Sequence, residues 1–164
     1  PTVLVSAAHA GRANVMAAAW AMPVDFDPPK VAVVIDRATL TRELVEASGE
    51  FGLSVPPLAL ADAVYGAGSV SGRDVDKWQH LAFSPLAPAR IGVPLVADCV
   101  AWLECRVLGE RELERRHDLF VAEVVAAAAD DRVFSHGRWH FDQDARRTLH
   151  HVAAGQFFSG RSAL

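Results

Sequence analysis

The run IDRATLTREL (Ile35–Leu44) puts Asp36, Arg37, Thr39 and Thr41 between the end of a β-branched segment and an amphipathic stretch with acids near its start. A helix N-terminus offers unpaired N–H groups and the positive end of a dipole, which together attract anions. Threonine hydroxyls donate to phosphate oxygens, and an arginine adds a planar cation that binds them in bidentate fashion. The chemistry expected here is phosphate recognition. The plainer reading is that Thr39 or Thr41 is an N-cap and Arg37 a solvated side chain. A second segment, AAWAMPVDFDPP (Ala18–Pro29), brings Ala18, Ala19 and Ala21, which have no bulk, next to Trp20 and Met22. Backbone groups there can approach a flat ligand that Trp20 and Met22 wall in; alternatively Trp20 is a core aromatic and the alanines pack an edge.

Other chemistries find less support. His136, His140, His150 and His151 gather near the C-terminus, but HGRWH has H-x-x-x-H spacing without the glutamate of a zincin, so a structural or surface role is expected and no metal. There is no G-x-S-x-G elbow, and GAGSVSG neither matches G-x-G-x-x-G nor follows a strand.

The elements that must position these residues have mostly period-two apolar patterning. Strands are expected over Thr2–Ala7, Lys30–Ile35 and Phe51–Val55. From Ala97 to Val107 the odd positions are apolar, while the even ones include Asp98, Glu104 and Arg106. That predicts one eleven-residue strand carrying both Cys99 and Cys105, about 20 Å apart and beyond disulfide reach. Leu119–Ala126 is a further strand, joined to it through GERELERRHD in a long hairpin whose connection has room for a helical turn. Helices are expected over Thr41–Ser48, with Gly49 as C-cap, over Leu58–Tyr65 and over Asp76–Phe83, with YGAGSVSGR as a loop. Strands adjoin strands more often than helices, which favours a small antiparallel barrel with helical insertions over a doubly wound sheet.

The 164 residues suit one domain, 1–164, able to bury roughly two thirds of its unfolded surface. A net charge of −4 argues against nucleic acid as a partner, since phosphate neutralisation needs a basic face; the RRHD cluster around Arg115 is short and flanked by acids. No run approaches the roughly 18 apolar residues of a membrane span. The opening PTVLVSA has no basic n-region, so a secretory peptide is not expected, and the two cysteines read as small buried hydrophobes in a reducing cytoplasm.

The order of these pieces resembles the flavin reductase-like, FMN-binding split-barrel family, particularly its flavoredoxin-like branch. GRANVMAAAWAMPVDFDPPKVAVVIDRATLTRELVEASGEFGLSVP is similar to that family's N-V-M-T-x-A-W-x-x-P-V-S-x-D-P-P, strand, R-x-T-x-x-L and F-x-x-N-V-P. SGRDVDKW, HDLFVAEV and LHHVAAGQFFSG resemble later family segments, so the likeness runs through nearly the whole chain. The resemblance implies a mainly β fold, a small antiparallel split β-barrel of Greek-key type with a few short helices. It implies FMN rather than FAD, with NADH or NADPH as co-substrate, in an NAD(P)H:flavin oxidoreductase that supplies a monooxygenase or another electron acceptor. The alternative it allows is a flavoredoxin-like electron carrier without its own nicotinamide-oxidising activity. It further implies a homodimer. Carried over by position, Asn14 and the backbone of Ala18, Ala19, Trp20, Ala21 and Met22 line the ring and ribityl chain. Arg37, Thr39 and Thr41, with Asp36 in the same loop, hold the phosphate, and His117 contacts flavin or nicotinamide. No catalytic acid or base is implied, since hydride passes directly to the flavin. The chain departs from the pattern at Ala17 (family Thr), Asp25 (Ser), Ser54 (Asn), Arg116 (Asp) and Ala122 (Gly). Asp25 would disfavour reduced anionic flavin if it pointed inward and is harmless in a surface turn.

Overall fold

The computed structural model describes residues 1–153 and 155–160. Its centre is a seven-stranded sheet in the order β2-β1-β5-β8-β9-β4-β3, every neighbouring pair antiparallel. The strands are β1 (Val3–His9), β2 (Arg12–Ala18), β3 (Ala21–Phe26), β4 (Pro29–Val34), β5 (Glu50–Val55), β8 (Ala101–Val107) and β9 (Leu119–Ala129). Short two-stranded ladders join β6 (Pro85–Leu86) to β7 (Leu95–Val96), β10 (Phe134–Ser135) to β11 (Arg138–Trp139), and β12 (His150–Ala153) to β13 (Gln156–Phe158). The helices are α1 (Leu40–Ser48), α2 (Ala61–Ser69, entered through a 3-10 turn at Leu58–Leu60), α3 (Lys77–His80) and α4 (Arg111–His117).

The protein is therefore mainly β with a few helices, but the sheet is not closed into a barrel, which corrects the barrel expectation. β2 and β3 stand at opposite ends of the strand order, yet only Ala19 and Trp20 separate them in the chain. The three Cα steps from Ala18 to Ala21 span at most about 11 Å, so the sheet must curl until its two edges meet at this link. No ladder joins them there; Val34 N donates to Trp20 O at 3.0 Å instead. The result is a seam, and edge backbone at a seam is free to pair with something other than a strand.

Side-chain alternation along β1 separates two cores. Val3, Val5 and Ala7 face α1, where Leu44, Val45 and Phe51 complete a buried cluster. Leu4, between them, faces the other way and packs with Val15, Val64, Phe83 and Leu149 beneath α2. Thr39 caps α1, its hydroxyl accepting from Arg42 N, and Gly49 ends it at φ 72°, with its N–H on Val45 O at 2.8 Å. Glycine suits that left-handed position because it carries no Cβ.

Several sequence expectations shift. β8 starts at Ala101, because Ala97–Val100 form a turn, so Cys99 and Cys105 lie in different cores rather than on one strand. Burial, then the charge of Glu104, pushes the Cys105 thiol up to about 12, and burial raises Cys99 as well. Glu104, expected on a wet face, is buried: its carboxylate accepts from the N–H groups of Ala89, Arg90 and Ile91 at 2.6–3.0 Å and pins the 85–95 loop. Gly66–Ser69, expected in a loop, continue α2. The GERELERR connection does hold a helix, α4. Among the described residues no helix is long and apolar enough to cross a membrane.

Candidate functional site

The seam opens onto a cleft of about 480 Å³, within the range that holds small ligands and cofactors. One wall is the end of β2 and the link itself, Met16 to Trp20, continued by Val34 and Asp36 at the end of β4. The facing wall is α2, which presents Val64, Tyr65, Gly68 and Ser69 at the i, i+1, i+4, i+5 positions of one helical face. The C-terminal hairpin closes one end with His151, Gly155 and Phe157, and Thr2 lies beside it. Thr2 Oγ1 accepts from His151 N at 2.9 Å, and the His151 ring meets Phe157 edge-on at 5.4 Å. The other end is the α4–β9 corner, with His117 and Asp118.

Asp118 ends α4 in the left-handed conformation, φ 54°. Its Oδ1 accepts from Arg42 Nη1 at 3.2 Å and is ion-paired with Arg37 Nη2 at 3.1 Å. Burial opposes its ionisation, but the hydrogen bonds and charges of Arg37 and then Arg42 prevail and hold the carboxyl below its ordinary range. Arg42 is itself buried. Its guanidinium donates to Ile35 O at 3.0 Å, Glu114 O at 3.0 Å and Glu46 at 2.6 Å, and sits 4.5 Å over the Phe120 ring. A buried arginine so completely satisfied fastens the start of α1 to the α4–β9 corner.

Of the residues expected from the sequence, Ala18, Ala19, Trp20, Asp36 and His117 line this cleft. Ala21 and Met22 do not, because they are already in β3, paired with Val33 and Ala32 of β4. Asn14 and Thr41 are buried against each other, Asn14 Nδ2 donating to Thr41 Oγ1 at 2.8 Å. Thr39 is the cap of α1, and Asp36 holds its own loop by accepting from Ala38 N at 2.7 Å. Arg37 stands at the rim, linked to the lining through Asp118 and donating also to Arg115 O at 3.3 Å.

The departures from the family pattern separate by position. Ala17 lines the cleft. Asp25 is exposed and salt-bridged to Lys30 at 2.6 Å, whose hydrogen bond lowers its pKa, so its charge is neutralised outside the lining. Ser54 is buried and accepts from Val96 N, Ala122 is buried in β9, and Arg116 pairs with Glu112 on the surface.

The sequence reading missed Tyr65, Gly68, Ser69, Asp118 and His151. For α2 the available signal was the i, i+3, i+4 spacing of Tyr65, Gly68 and Ser69, masked by glycines that read as a turn. Among the described residues no group of three or more His, Cys, Asp or Glu is placed to hold a metal.

The cleft suits FMN on its own terms. Its wall at Ala17–Ala19 and Gly68 is flat because those residues carry a methyl group or nothing. A Cβ built on Gly68 would stand 3.6 Å from that of Ala17, so the two walls touch there and close the floor of the cleft, and the ring's place is beside that contact. The open sheet edge carries backbone donors and acceptors, and Arg37 stands beside the capped start of α1, joined to the lining through Asp118.

Comparison with known proteins agrees. Residues 1–149 match the model of the flavin reductase like domain. Protein YddH of Escherichia coli (strain K12) is 48% identical over 160 residues, covering 96% of this chain and 85% of that protein. The crystal structure of an FMN-binding domain of a flavin reductases-like enzyme from Shewanella baltica OS155 superposes with a TM-score of 0.97 at 44% identity, covering 100% of this chain and 87% of that one. Flavoredoxin of Desulfovibrio vulgaris (Miyazaki F) superposes at 0.87 with 25% identity, covering 100% and 88%.

Proposed function

The chain belongs to the flavin reductase like domain family, and on that premise we propose that it binds FMN in the seam cleft and works as an NAD(P)H-dependent flavin reductase. FMN supplies the redox chemistry, taking a hydride and giving up electrons. The chain's own residues bind, orient and shelter. Ala17–Ala19 let backbone reach the ring rim, and Trp20, Tyr65 and Phe157 flank the opening and limit water. Arg37 and the start of α1 hold the phosphate, and His117 contacts the flavin or the nicotinamide. The acceptor is a monooxygenase or another electron-accepting partner.

The observation that carries this reading is the seam. Two sheet edges joined by Ala19–Trp20 frame a cleft walled by the smallest side chains, with the Arg37–Asp118 pair at its end. A homodimer is supported by the exposed apolar residues on and beside the edge strand β3, where Trp20, Met22, Val24 and Phe26 are 72%, 60%, 51% and 95% exposed. Contiguous apolar exposure of this kind commonly marks an interface.

The test is anaerobic mixing of the FMN-loaded protein with NADH or NADPH. Catalytic bleaching of the visible flavin band is the expected result. Bound flavin that neither nicotinamide bleaches would replace the reductase by the carrier, flavoredoxin-like reading.

A further inference from the structure

Arg37 is largely exposed, and arginine on a surface loop has several rotamers to choose from, each of which must be given up when a ligand binds. In this protein that freedom is removed in advance. One nitrogen, Nη2, donates to Arg115 O and forms an ion pair with Asp118 Oδ1 at 3.1 Å, so one corner of the guanidinium is held. Nε and Nη1 have no hydrogen-bond partner among the described residues and remain available to an incoming anion. The anchor is itself immobile: the same Asp118 oxygen accepts from Arg42, which is buried and tied to Ile35 O and Glu114 O.

We propose that Asp118 is a positioning residue for the FMN phosphate, holding Arg37 at the cleft's end in the orientation that the phosphate needs. The inference rests on the phosphate reading given above. It assigns a role to a residue that would not be found by inspecting cations alone, because a carboxylate beside a phosphate site looks repulsive. Here its charge is matched by two guanidiniums, and what it contributes is a fixed direction for one of them. The left-handed backbone at Asp118 also makes a clean test possible. Glycine and asparagine both accept that conformation, so Asp118→Gly and Asp118→Asn change the side chain without straining the backbone.

The experiment measures FMN and riboflavin affinity by quenching of flavin fluorescence, in the unsubstituted chain, in Asp118→Gly, Asp118→Asn and Arg37→Ala, and in the Arg37→Ala/Asp118→Gly double variant. Asp118→Gly is expected to weaken FMN by about tenfold, the lower end of what a charge-assisted hydrogen bond is worth, and to leave riboflavin unchanged. On the Arg37→Ala background it is expected to add nothing. Asp118→Asn, whose amide oxygen still accepts from Arg37, recovers part of the loss. Riboflavin weakening in step with FMN, or an undiminished effect without Arg37, overturns the proposal while leaving the phosphate reading in place. If the unsubstituted chain binds riboflavin as tightly as FMN, the phosphate reading falls and this proposal with it.

Discussion

Asn14 on β2 and Thr41 on α1 meet inside the protein, the amide Nδ2 donating to the hydroxyl at 2.8 Å. Both are polar residues in segments that resemble flavin contacts, yet each is satisfied by the other. The bond ties the first turn of α1 to the strand that runs into the seam, and the backbone of Gly72 packs against the same amide so closely that any Cβ there would collide with it. Asn14→Ala leaves the Thr41 hydroxyl buried without its donor, and a loss of about 1–3 kcal/mol in stability is expected. Urea unfolding checks this, and the Asn14→Ala/Thr41→Val pair should cost less than the sum of its parts.

Arg37→Ala should weaken FMN binding by about 1.5–3 kcal/mol, the range for hydrogen bonds to charged groups. Riboflavin, which lacks the phosphate, should bind both proteins alike. Equal FMN affinity with and without Arg37 would remove the phosphate from this end of the cleft.

Gly68 separates folding from binding. Its Cβ position is in ordinary van der Waals contact with Ala17, so Gly68→Ala fits and should stabilise α2 by roughly 0.5–1 kcal/mol through the lower backbone entropy of alanine in a helix. Gly68→Leu keeps the helix but forces a larger side chain off the Ala17 contact and into the cleft. We expect it to lose FMN binding while lowering the melting temperature only modestly, and a melt alongside a flavin titration reads both.

The reach of the sequence can be judged from particular residues. The alternation of β1, the β-branched run of β4 and the Thr39/Gly49 caps of α1 were legible because they are local: each is decided by neighbours two to four positions away. The Ala18–Trp20 wall was legible through small residues beside a large ring. Glu104 was not, because its burial depends on three N–H groups of a loop 13–15 residues earlier. Asp118 was not, because its meaning comes from Arg37 and Arg42, more than seventy residues away in the chain. The open seam follows from strand order, which pairwise patterning does not encode.

Asp130 sets an acid limb on stability. The hydrogen bond from Arg132 lowers its pKa to about 2, against the partial burial that would raise it, and Arg146 adds a second ion pair at 3.0 Å. A carboxylate with a depressed folded-state pKa contributes stability that is fully present above its unfolded value of 3.8 and lost as pH falls toward 2. Asp130→Asn should therefore lower stability at neutral pH and flatten its decline between about pH 4 and pH 2. Chemical denaturation of both proteins across that window measures the difference, and parallel curves would remove Asp130 from the acid response.

The central claim is that the cleft at the Ala19–Trp20 seam is an FMN site, and a diffraction structure of the protein crystallised with FMN tests it most directly. The account predicts the ring in the cleft against Ala18–Trp20 and beside Tyr65 of α2, with the phosphate against Arg37. Flavin density elsewhere on the molecule, or a cleft without flavin at saturating FMN, would contradict it.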